Sequence, residues 1–171
     1  MSKIMIGLMA ISMLAACNNK GDNAQPVPPA TVAPAPVPAP VSNPTTLPKV
    51  ELEISAVGNL MKFDKTSLTV PAGSEVHLVI KNPATMSTMP HNWVLLAAGA
   101  SAAKVAADGL VKGLAMGYVA PGSSVLAYTP LANPKGTAEV TFTAPPVGKY
   151  DYICTVPGHY MMMKGVLTVT Q

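Results

Sequence analysis

Cys154, His159 and Met163 fall close together in the stretch CTVPGHYMMMKG. Their side chains end in a thiol, an imidazole and a thioether. Thiolate and thioether favour Cu(I), and imidazole serves both oxidation states of copper. His159 follows Cys154 by five residues and Met163 follows His159 by four, with Pro157-Gly158 supplying a tight turn between them. A third donor lies far upstream, His91 at the head of HNWVLL, so folding must bring it in. One distant histidine and a Cys–His–Met loop make a trigonal His2Cys set with a weak, long thioether, which is the ligand set of a blue-copper electron-transfer site. No position is left open for a substrate, so the set suits moving an electron rather than making a bond.

Each residue also has a plainer reading. A lone cysteine packs as a small hydrophobe, and a histidine after Pro-Gly can be an ordinary turn residue. The spacing and the distant His-Asn-Trp motif make that combination improbable for all of them together. His77, in SEVHLVI, alternates like a half-exposed strand residue and reads as structural. The same His2Cys set can hold zinc, and the methionines Met86, Met89 and Met161 to Met163 also fit a copper carrier or store. A catalytic oxidase or nitrite reductase is poorly supported. A second copper centre needs more than the three histidines present, and a binuclear site needs a second cysteine in the domain.

The elements that would position these residues are short strands. From Val50 onward, VELEISAV, SLTV, SEVHLVI, HNWVLL, SSVLAYT, AEVTFTA, KYDYICT and GVLTVTQ alternate apolar and polar residues with period 2. Turn formers separate them at Pro71-Ala72-Gly73, Pro121-Gly122, Asn133 to Gly136 and Pro145 to Gly148. SAAKVAADGLVKG is alanine-rich and reads as one short helix with a stop at Asp108-Gly109. The pattern predicts an all-β Greek-key sandwich or small barrel of about eight strands with one helical insert. Cys154 would end one strand, and another would start at Lys164. Trp93 should face opposite to Asn92 and enter the core.

The rest of the chain is different material. Of its 171 residues, residues 1–16 have one lysine, an apolar run and small residues before Cys17, a secretory signal too short to span a bilayer. Leu14-Ala15-Ala16-Cys17 resembles the bacterial lipobox, which implies cleavage before Cys17 and acylation of the new N-terminus. Residues 17–49 are rich in proline, alanine and valine and read as an extended spacer. At about 3.1 Å per residue its reach would be on the order of 80–100 Å. The domain is then 50–171. A net charge of +3, carried by scattered lysines, excludes the clustered basic patch of a nucleic-acid-binding protein.

HNWVLL and CTVPGHYMMMKG, with the region AADGLVKGLAMGYVAPGSSVLAYTPLANPKGTAEVTF between them, resemble the azurins of the cupredoxin family. The lipobox and spacer further resemble the lipid-modified azurins of some Gram-negative bacteria. The resemblance implies one type 1 copper ion held by His91, Cys154 and His159, with Met163 as the axial ligand, because Lys164-Gly165 follow it as they do the azurin methionine. It implies a further weak contact from a backbone oxygen, here that of Pro90, whose φ is fixed. Asn92 would tie the two ligand loops together, and the N–H groups of Asn92 and Val156 would point at the Cys154 sulfur. Met89, Val156, Tyr160 and Met161 would ring the edge of His159 as a docking surface. The azurin disulfide is missing, since the domain has no second cysteine. The implied protein is a monomeric electron carrier and not an enzyme. Its lipid anchor would hold it to the outer membrane or a periplasmic face of the cell envelope. Its partners would be redox proteins such as c-type cytochromes, terminal reductases or oxidases.

Overall fold

A computed structural model describes residues 47–171. The expected signal peptide, the acylated Cys17 and the spacer as far as residue 46 lie outside the described residues. Among those described, eight strands and one α-helix follow in the order β1 (Lys49–Ser55), β2 (Ser67–Pro71), β3 (Glu75–Asn82), β4 (Val94–Leu96), α1 (Ala102–Lys112), β5 (Val125–Tyr128), β6 (Gly136–Thr143), β7 (Gly148–Ile153) and β8 (Lys164–Thr170). They form two sheets, β1-β3-β6 and β2-β8-β7-β4-β5. The pairs β1–β3 and β2–β8 are parallel, and the others are antiparallel. This is the all-β sandwich with one helical insert that the alternation predicts.

The alternation also sets which residues meet between the sheets. Val76, Leu78 and Ile80 of β3 point inward and are fully buried, while Glu75, His77 and Val79 between them are only partly covered. Leu68, Val70, Leu167 and Val169 face them from the other sheet and belong to the same core. Burying a side chain such as Leu78 contributes roughly 1.5–3 kcal/mol. Trp93 lies at the centre of this core, as expected, with ring centroids 5.6 Å from Phe142 and 5.7 Å from Tyr152.

Two expectations need correction. The helix does not stop at Asp108-Gly109. Ser101 caps its start through Oγ, and it runs to Lys112 before Gly113 ends it with φ +70°. Gly109 is therefore a packing residue, because a Cβ there would run into the carbonyl oxygen of Tyr118. The strand expected over HNWVLL begins only at Val94. The Trp93 N–H donates to Thr129 Oγ1, and the Asn92 N–H is directed at the Cys154 sulfur, so neither is free to join a ladder. His91 makes only an isolated bridge to Ala132.

Candidate metal centre

β7 and β8 form an antiparallel hairpin whose last pair is Ile153 with Lys164. Directly beyond that pair the Cys154 N–H donates to the Met163 carbonyl at 2.9 Å and closes the neck of the loop. Inside it, His159 N–H donates to Val156 O, and the N–H groups of Met162 and Met163 both donate to His159 O. Gly158, at φ +84°, takes the left-handed conformation that this curl requires. The loop thus turns Cys154, His159 and Met163 inward, and all three are buried. Met161 and Met162 point out, 60% and 70% exposed, against 0% for Met163. Burial separates the three consecutive methionines as the strand start at Lys164 anticipates.

His91 reaches the same point from the segment that leads into β4, the neighbour of β7 in the same sheet. Its Nδ1 lies 3.9 Å from Cys154 Sγ, and His159 Nδ1 lies 3.6 Å from the same sulfur. One donor atom from each residue fits within 4.8 Å of the others. The two imidazole centroids are 5.1 Å apart. His91 Nε2 is buried without a hydrogen-bond partner among the described residues, and the ring turns its Nδ1 toward the Cys154 sulfur.

The electrostatics match a metal cation. Burial pushes the Cys154 thiol up to about 12, against hydrogen bonds from the Asn92 and Val156 N–H groups that favour the thiolate. Burial, and then the charge of His159, lowers His91 to about 4, and burial lowers His159. Both rings are therefore neutral near pH 7, the form that ligates metal. A buried sulfur with two N–H groups aimed at it and two neutral imidazoles fits a single type 1 copper ion.

A family profile described as copper binding proteins, plastocyanin/azurin family, matches residues 50–170. The chain belongs to this cupredoxin family. Auracyanin-A of Chloroflexus aurantiacus is 49% identical over 122 residues, which are 70% of this chain and 74% of that protein. The azurin of Pseudomonas aeruginosa is 34% identical over 127 residues, which are 70% of this chain and 85% of that protein. A solved structure of auracyanin A, titled a "blue" copper protein, superposes with TM-score 0.67 and 47% identity and covers 71% of this chain and 99% of that one.

Within this cupredoxin, Asn92, which the resemblance to azurin expects to tie the two ligand loops together, bonds from the His91 loop to the Cys154 loop. Asn92 is fully buried; its Oδ1 accepts from Thr155 N–H at 2.8 Å, and its Nδ2 donates to Thr155 Oγ1 at 2.8 Å and to Gly117 O at 2.9 Å. Thr155, Thr129, buried beside Trp93, and Asn82, at the end of β3, are polar residues that sequence reasoning passed over. Nothing in their local sequence marks them, because their partners lie far along the chain. Of the four residues expected around His159, Met161 is well exposed, Met89 and Tyr160 partly so, and Val156 is buried in the core. Leu110 of α1, 56% exposed, lines a neighbouring groove with Val156 and Tyr160. The helix α1, eleven residues long, is no candidate membrane span, nor is any other helix among the described residues.

Proposed function

We propose that this cupredoxin carries single electrons at one copper ion held by His91, Cys154 and His159, with Met163 as the axial thioether. The observation that carries the reading is the convergence of these three buried donors from two separate loops, next to the one buried methionine of three. Copper supplies the redox chemistry by alternating between Cu(II) and Cu(I). The protein's part is to hold the donors in one frame, so that little moves when the electron does. The Asn92 and Val156 N–H groups draw charge from the sulfur and tune the potential. The Pro90 carbonyl, next to His91, would offer the copper a further weak oxygen contact. The closed hairpin neck and the buried donors keep water away.

Electrons cross at the edge of His159, through the apolar surface that Met161, Met89 and Tyr160 provide. Apolar surface of this kind marks interaction sites, and methionine adapts to several partners. Redox proteins such as c-type cytochromes, terminal reductases or oxidases fit that role. Cys17 carries a lipid that tethers the chain to the cell envelope, and the residues around it support that reading. Replacing Cys17 with serine should move the protein from the membrane fraction to the soluble fraction without changing its spectrum. A variant that stays in the membrane fraction would sink the lipid reading.

The visible spectrum tests the copper reading. A short Cu(II)–thiolate bond absorbs intensely in the visible, so the copper-loaded protein should be blue. The colour should vanish on reduction and in Cys154→Ser. A colourless copper complex, or native protein that carries zinc, would overturn the electron-transfer reading. A second reading, copper carriage, draws support from the exposure of Met86, Met161 and Met162. It is favoured if Met161 and Met162 govern copper delivery to another protein rather than electron exchange.

A further inference from the structure

Asn82, the last residue of β3, is 1% exposed. Its Nδ2 donates one hydrogen to Met89 O and the other to Ala132 O, each at 2.8 Å. Its Oδ1 accepts from Ala84 N–H at 3.1 Å. Both amide hydrogens are thus used, on carbonyls that flank the route into His91. Ala132 O also accepts from His91 N–H at 3.1 Å, and Ala132 N–H donates back to His91 O at 2.7 Å. One side chain therefore holds the carbonyl two residues before His91 and the carbonyl opposite it.

The constraint passes on to the atoms nearest the donors. The Pro90–His91 peptide is planar and trans, so the Pro90 carbonyl points opposite to the His91 N–H. That N–H is fixed on Ala132 O. Proline fixes φ, and the preceding carbonyl is pinned by Asn82, so little freedom is left to the Pro90 oxygen. We propose that Asn82 is a positioning residue of the copper site: through Ala132 O and Met89 O it sets the tilt of the Pro90–His91 peptide. The tilt in turn sets both the His91 ring and the Pro90 oxygen relative to the metal. The proposal rests on the single-copper reading above.

A hard oxygen donor supports Cu(II) more than Cu(I), so releasing the Pro90 oxygen favours Cu(I). Asn82→Ala should raise the reduction potential, changing the Cu(II)-to-Cu(I) affinity ratio by about fivefold, the factor one ordinary hydrogen bond is worth. It should also alter the copper(II) absorption bands and electron paramagnetic resonance signal. Leu78→Ala, on the same strand but pointing into the core, should lower the unfolding midpoint and leave potential and spectra unchanged. An Asn82→Ala protein that loses stability yet keeps both potential and spectra would show a merely structural role and overturn the proposal. If Asn82→Ala does not fold, Asn82→Ser, which keeps a hydroxyl donor for one carbonyl, is measured in the same way, and an unchanged potential there overturns it too. A wild-type protein that takes up copper without turning blue would fail the copper reading itself before any variant is made.

Discussion

Asn92 and Thr155 exchange two hydrogen bonds of 2.8 Å, and so the residue after one donor is locked to the residue after another. His91 and Cys154 cannot drift apart without breaking this link. A prediction follows for the copper-free protein. Thr155→Val removes one acceptor and should cost about 1 kcal/mol; Asn92→Ala strands the Thr155 N–H and the Gly117 carbonyl and should cost more, roughly 2–4 kcal/mol. Denaturant unfolding of metal-free protein checks both. Equal losses in the two variants would mean that the backbone end of the link carries little.

The three consecutive methionines give a register test. Met163 is fully buried beside the hairpin neck, and its neighbours are exposed. Met163→Leu conserves volume and should cost less than about 1.5 kcal/mol of stability. It should keep the blue colour and raise the reduction potential, because a weak donor to Cu(II) is lost. Met162→Leu should change neither. A larger shift from Met162 or Met161 would show that the loop presents a different sulfur.

Docking through the exposed face should depend on its apolar character. Met161→Lys places a charge at 60% exposure and removes a methionine from the surface near His159. Electron self-exchange and exchange with a partner should slow, and the absorption spectrum should stay the same. Unchanged rates would mean that electrons leave by another face. In the wild type, few charges flank the loop, so the rates should vary only weakly with salt.

His77 is not near the donors, and it has its own partners. Its Nδ1 lies 2.6 Å from Glu51 Oε2 on β1, and its Nε2 lies 3.3 Å from Glu139 Oε2 on β6, so it bridges all three strands of one sheet. The hydrogen bond and charge of Glu51, then those of Glu139, raise it above its ordinary 6.5 despite some desolvation. A raised value in the folded state means that the protonated form is stabilised by folding. The gain is complete below 6.5 and is lost as pH rises through the raised value. Wild type should therefore melt higher than His77→Gln in acid, with the difference closing as the pH rises. A difference independent of pH would show that the imidazole contributes by packing alone.

The ligand types, their spacing and most strands were readable in the chain because donor chemistry and period-2 alternation are local properties. The parts that were not readable depend on distant partners. Asn82, Thr129 and Thr155 are ordinary polar residues until folding sets Met89, Trp93 and Asn92 against them. Gly109 reads locally as a helix breaker, yet the close approach of Tyr118 requires a glycine within the helix. The late start of β4 has the same origin, since two backbone donors of HNWVLL are claimed by Thr129 and by the Cys154 sulfur rather than by a neighbouring strand. His77 reads correctly as structural, but the sequence does not reveal its two carboxylate partners.

The parallel pairing of β1 with β3 has a mechanical consequence. Lys49 stands opposite Glu75, at the start of β3, while Asn82, at the other end of β3, reaches the peptide leading to His91. The chain therefore enters this barrel at the pole remote from the copper ligands, separated from them by the length of β1, about 20 Å at 3.3 Å per residue. A pull on the upstream segment loads the rungs between β1 and β3 in shear, and the hairpin carrying Cys154 and His159 lies outside that line of force. A load applied at Lys49 is thus borne by one sheet, and the pole that gathers His91, Cys154 and His159 keeps its shape.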